Sequence, residues 1–312
     1  MQYAAVISSN SGMGWAKRRV SIPSGKREQI DDNVVAENLG TSTPMRIHKN
    51  GVQIESLDTW AAHAGPKSPD QWVEGRSAME LARAWLNVGE ARLPTDVSSL
   101  LEGHPAFGSV SWWDAEPEVK LPFDTFPGEP RNSDLVVHAR DRYGAYIIGV
   151  EAKADEPFSD TVKDILSAAL ERKIQSTSSN GIARVENLAR CLFDQRTSGK
   201  EARVGDLRYQ LLTAAAGVLC EAERKACSRA LLLVHEFVTS RTQDELHKRN
   251  ADDLRDFVRR LSRGTITDVK SGEIFGPFMV PGVPLFSAKV DFYVGKVSTN
   301  LRNRTSHGRN VG

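Results

Sequence analysis

Asp134-Leu135-Val136-Val137-His138-Ala139-Arg140 and Ala145-Tyr146-Ile147-Ile148-Gly149-Val150-Glu151-Ala152-Lys153 are two aliphatic runs separated by Asp141-Arg142-Tyr143-Gly144. Branched and aromatic side chains favour strands, and an Asp-to-Gly tetrapeptide between two such runs favours a tight turn. The stretch therefore predicts a β-hairpin. The midpoint between positions 134 and 151 falls between Arg142 and Tyr143, in the middle of that turn. Asp134 is thus expected opposite Glu151, about 5 Å away backbone to backbone. Side chains alternate along a strand, so Glu151 and Lys153 share a face. Two acids and an amine should meet at the open end of the hairpin.

Opposed carboxylates repel and weaken a sheet. A hard divalent cation offsets this, because Mg²⁺ takes oxygen ligands from one or two carboxylates and completes its shell from water and phosphate. Lys153 adds a point charge that holds an attacking water or stabilises charge developing on phosphorus. These residue types point to metal-assisted phosphodiester hydrolysis.

At these positions the sequence resembles the PD-(D/E)XK, or restriction-endonuclease-like, nuclease superfamily: an acid opens one strand (Ser133-Asp134) and Glu151-Ala152-Lys153 ends the next. Ser133 stands where that family often has proline. The resemblance implies Asp134 and Glu151 as metal ligands with the Ala152 backbone carbonyl, Lys153 as the residue that activates water, and Mg²⁺, or Mn²⁺ in its stead, as cofactor. It also implies an acid on the first core helix, Glu80 with Glu74 in reserve, and a glutamine on the helix after the hairpin, Gln210 before Gln175. The implied substrate is nucleic acid, DNA before RNA, with a homodimer allowed and a role in restriction or anti-phage defence.

The Glu-x-Lys tripeptide is uninformative alone. It recurs at Glu118-Val119-Lys120, Glu171-Arg172-Lys173 and Glu223-Arg224-Lys225, and Asp268-Val269-Lys270 fits the looser pattern. Glu151 differs because it ends an apolar strand that pairs back to an acid. The competing readings are a charged edge hairpin, a non-catalytic binding module that holds a metal weakly or a protein partner, and a hydrolase of a nucleotide or other phosphate ester. Capping explains Glu80, three residues after Ser77, as readily as metal binding does. His138, on the Asp134 face, His235, Trp112 and Trp113 read as structural.

Outward from the hairpin, the sequence predicts an α/β fold: a mixed, mainly short-stranded central sheet with helices on both faces. The expected core order is α-β-β-β-α-β: a helix near 77–88, a strand near 109–113, the hairpin, a helix over 206–224 and a strand over 230–238. Helices over 158–173 and 181–194 read as an insertion. A helix start at Ser68-Pro69, strands around Met45 to Ile54, a Pro/Gly loop over Phe126–Pro130, an amphipathic helix after Asn250, and strands at 278–280 and 290–297 complete the pattern. The domain division expected is an arm or subdomain over 1–60, a nuclease-like core over 61–240 and an extension over 241–312.

Lys+Arg number 41 and Asp+Glu 40, so the formal charge of +1 marks no overall basic protein. Backbone contacts to nucleic acid would have to come from local basic stretches: Lys17-Arg18-Arg19, Lys26-Arg27, and the tail carrying Lys296, Arg302, Arg304 and Arg309. The three cysteines, Cys191, Cys220 and Cys227, form no CxxC pair and suit a reducing cytosol. No signal peptide and no membrane span are expected, and the cytoplasm is the expected location.

Overall fold

The computed structural model describes residues 45–66, 68–87, 90–175, 179–194, 199, 201–287 and 289–302. The basic runs at 17–19 and 26–27, and Arg304 and Arg309, lie outside the described residues.

The hairpin forms as β6 (Asn132–Asp141) and β7 (Gly144–Lys153), antiparallel, with Leu135 opposite Val150 and Asp141 opposite Gly144. Every pair keeps the register derived above. Around the hairpin lies an eight-stranded mixed sheet in the order β2-β1-β5-β6-β7-β8-β10-β9, with β1 Arg46–Lys49, β2 Val52–Gln53, β5 Trp112–Lys120, β8 Arg229–Val238, β9 Glu273–Phe278 and β10 Asp291–Asn300. β3 (Leu86–Asn87) and β4 (Glu90–Ala91) pair separately. Strands β5, β6 and β7 form an antiparallel meander, and β7, β8 and β10 run parallel.

Helices cover both faces. One face packs α1 (Leu57–Ala64), α2 (Ser77–Trp85) and α3 (Thr95–Glu102) around Trp60, Trp85, Trp113 and Tyr146. The other packs α4 (Val162–Ile174), α5 (Gly181–Leu192), α6 (Tyr209–Arg224) and α7 (Asp244–Leu261) around Val136, Ile147, Leu211, Leu232 and Phe257. Alternation along the strands assigns Asp134, Glu151 and Lys153 to this second face.

The structure changes several expectations. Strands β5 to β8 and β10 are nine or ten residues long, so the sheet is not short-stranded. Ser68 caps no α-helix: Pro69–Gln71 makes one 3₁₀ turn, and the chain turns at Gly75 with φ +84°. The sequence reading did not anticipate α1, capped by Ser56, whose hydroxyl accepts from the Thr59 N–H at 3.1 Å, nor α3. The stretch read as a C-terminal extension supplies β9 and β10 of the same sheet, and β1 and β2 join it at the opposite edge. Lys296, read as part of a basic tail, is buried in β10 and pairs with Glu236 at 3.1 Å, so it is not available to a phosphate backbone.

Gly149 sets how near α6 comes to β7. A Cβ there would lie 2.1 Å from Val218 Cγ2, on a stiff, fully packed side chain. Gly149→Ala is therefore expected to cost about 1–3 kcal/mol by overpacking. The urea midpoint reads it directly, and an unchanged midpoint would show that α6 has slack against the sheet.

Candidate functional site

The sheet and α6 bring together four of the expected residues. Glu151 and Lys153, two apart at the end of β7, are 1% and 6% exposed, and Lys153 Nζ donates to Glu151 Oε1 at 2.7 Å. Asp134, half-buried at the start of β6, accepts the Ala152 N–H on Oδ2 at 2.7 Å. Gln210, in the first turn of α6, donates its side-chain amide to Glu151 Oε1. Ala152 thus touches Asp134 through its N–H; its carbonyl has no described contact with either acid.

Sequence reasoning missed Arg131. Its guanidinium donates to Glu151 Oε2, so Glu151 is held by three donors from three segments. Phe158 was also missed; its ring lies 5.0 Å from Lys153 Nζ and packs beside the amine. One strand further, Glu118 occupies the position that the β5–β6 ladder skips opposite Asp134, has φ +50°, and accepts from Asn132 Nδ2 at 2.9 Å. Arg131 and Phe158 carry no periodic or motif signal, and the Glu-x-Lys match at Glu118 gave no reason to place it beside Asp134.

The electrostatics separate the two acids. Burial raises the Asp134 carboxyl to about 7, and the charge of Glu151 pushes the same way; Lys153, Arg131 and the Ala152 N–H only partly oppose it. Burial also acts against Glu151, but Arg131 and Lys153 outweigh it and hold Glu151 below the usual carboxylate range. One acid is firmly anionic and the other is poised to gain or lose a proton near neutrality. The repulsion that the pairing predicts is therefore present and is only partly neutralised by the protein's own cations.

The other candidates lie elsewhere. Glu80 belongs to α2, across the sheet from Glu151; its carboxylate accepts from the Gly75 N–H at 2.8 Å and from Arg83 at 3.1 Å. Arg76, not Ser77, is the N-cap of α2, so the capping-box reading of Glu80 does not hold either. Glu74 pairs with Arg83 at 3.3 Å. Gln175 is exposed at the C-cap of α4. His138 does share the Asp134 face, and its Nε2 reaches Glu221 on α6 at 3.4 Å, tying helix to strand. His235 is fully buried, with Nε2 3.0 Å from Thr299 Oγ1 and its basicity lowered by burial to about 4. Trp113 packs edge-on against Trp85 at 5.8 Å in the core. Among the described residues, no group of three or more His, Cys, Asp and Glu is arranged to hold a metal ion. No helix among them is long and apolar enough to cross a membrane.

A family model described as Domain of unknown function (DUF6946) matches residues 53–299. No curated protein and no solved structure matches the chain.

Proposed function

We propose that this chain, which belongs to the DUF6946 family, is a metal-dependent nuclease that hydrolyses phosphodiester bonds in nucleic acid, DNA before RNA. One observation carries the reading: Asp134, Glu151, Lys153 and Gln210, from three separate segments, converge at the open end of one hairpin. The succession of α2, β5, β6, β7, α6 and β8 has the order of a restriction-endonuclease-like core and supports the same reading.

The donor set suits Mg²⁺ or Mn²⁺. Burial, with the charge of Glu151 on the neighbouring strand added to it, raises Asp134 to about 7, and oxygen ligands of this number leave room for water and substrate phosphate. Asp134 and Glu151 would hold the ion, with the Ala152 carbonyl as a further ligand. When bound, the ion would supply Lewis-acid charge at the phosphate and a more acidic water.

The chain's own groups do the rest. Lys153, its amine fixed between Glu151 and Phe158, holds the attacking water and meets charge developing on phosphorus. Gln210 fixes the orientation of Glu151. Arg131 neutralises Glu151 and has the planar fork that fits a phosphate.

Arg131 competes with a cation for Glu151 Oε2. Arg131→Ala should therefore bind Mn²⁺ about tenfold more tightly, the equivalent of one charge-assisted hydrogen bond, while cleaving more slowly. Calorimetric titration with Mn²⁺ decides this, and weaker binding by the variant would mean that Arg131 organises the site instead of blocking it.

A non-catalytic binding module is the second reading. It is favoured by the same satisfied state of Glu151, whose oxygens already have three donors. Incubation of plasmid, linear duplex, single-stranded DNA and RNA with wild type and Lys153→Ala, in Mg²⁺ or Mn²⁺, separates the two. Cleavage by wild type alone supports the nuclease; no cleavage of any substrate supports the module.

A further inference from the structure

Next to Glu151 is a cavity of about 240 Å³ that the phosphodiester chemistry does not use. Its walls come from the loop between β5 and β6, from α5 and from the first turn of α6. Two of its lining residues, Arg131 and Gln210, are among the three that donate to Glu151. The cavity is therefore one side chain away from the proposed reacting centre.

Its chemistry is aromatic and electrically balanced. Phe123, Phe126 and Tyr209 supply ring surface, all half-buried. Arg184 lies 5.7 Å from the Phe126 ring centre and is locked to Asp124 by two hydrogen bonds, at 2.6 and 3.0 Å. Arg131 is engaged by Glu151. Arg184 is therefore not left to capture a phosphate inside the cavity, and Arg131 is directed out of it toward Glu151. A space with ring walls, fixed donors and neutralised charge suits a flat, neutral, hydrogen-bonding ring. Its volume is below the roughly 300–1,000 Å³ of clefts that enclose drug-sized ligands, which fits one ring system and not a base pair.

We propose that this cavity receives a single unpaired nucleobase, stacked on Phe126 and Tyr209, from the nucleotide next to the phosphate cut at Asp134, Glu151 and Lys153. The proposal rests on the nuclease reading and narrows it: the preferred substrate is single-stranded, or has a frayed or flipped nucleotide at the cut. Stacking on aromatic side chains tolerates any base, because each has a π face. A paired base would first have to leave its stack.

The test uses the full chain without divalent metal, so that nothing is cut, and a short single-stranded DNA carrying one 2-aminopurine. Binding should quench the probe. Phe126→Ala, in an exposed loop, should bind about tenfold more weakly and lose the quenching, and Phe126→Tyr should restore both. The same sequence as a blunt duplex should quench little. Equal affinity and quenching in wild type and Phe126→Ala, or equal quenching by the duplex, overturns the proposal. Cleavage is then scored separately in Mg²⁺. Quenching without cleavage keeps the base site and removes the nuclease; cleavage with no Phe126-dependent quenching does the reverse.

Discussion

Lys153→Ala is expected to lower cleavage by roughly 10²- to 10³-fold, the usual cost of removing one preorganised group that meets charge in the transition state. The loss should fall on kcat more than on KM. Lys153 is buried against Glu151 and Phe158 with its amine on Glu151, so its contribution should fall at the proposed reacting centre and not in distant binding. The fold should tolerate the change. Glu151 keeps Arg131 and Gln210 as donors, and no charge is left buried without a partner. A melting temperature near that of wild type, together with the loss of cutting, is the expected pair of results. Wild-type rates in the variant would remove Lys153 from the chemistry; a collapse in melting temperature would make it a structural residue.

The largest effect on stability is expected at the other end of the hairpin. Arg229, at the start of β8, grips Asp141 through two hydrogen bonds of 2.7 and 2.9 Å and donates to the Ala106 and Gly144 carbonyls at 2.6 and 2.9 Å. Both side chains are buried. Arg229→Ala strands a buried carboxylate and should cost roughly 3–5 kcal/mol, seen as a lower urea midpoint.

The pH dependence has a definite sign. Burial works against ionisation of Asp141, but Arg229 and the Gly108 and Tyr143 N–H groups prevail and hold its carboxyl below the ordinary 3.8. This stabilisation is complete above the ordinary value and fades as pH falls through the lowered one. The gap between wild type and Arg229→Ala should therefore narrow in acid. A gap that stays constant from neutral pH down to pH 2 would show that Arg229 acts through packing on Phe107 and Tyr146 and not through Asp141.

The hairpin was legible in the sequence because register follows from period and turn position, which are local properties. The same logic found the face shared by Asp134, Glu151 and Lys153. α6 and β8 were legible too, from an apolar helical stripe and a continuous aliphatic run. Legibility ended where a long-range choice decided the outcome. Lys296 reads as part of a basic tail, yet β10 inserts beside β8 and buries the lysine against Glu236. Glu80 sits on the expected first helix, but α2 packs on the face away from Glu151 and its carboxylate turns back to Gly75. Arg131 carries no signal at all; it lies in a loop, and only the fold aims it at an acid twenty residues away. The ring-lined cavity was equally invisible, since Phe126 in a Pro/Gly loop and Tyr209 at a helix start meet only in three dimensions.

Anomalous diffraction from crystals soaked in Mn²⁺ shows whether Asp134 and Glu151 hold a cation. A single strong peak is expected at the carboxylates of Asp134 and Glu151, with the Arg131 guanidinium displaced from Glu151. A peak elsewhere on the protein, or none while Arg131 keeps its contact, would contradict it.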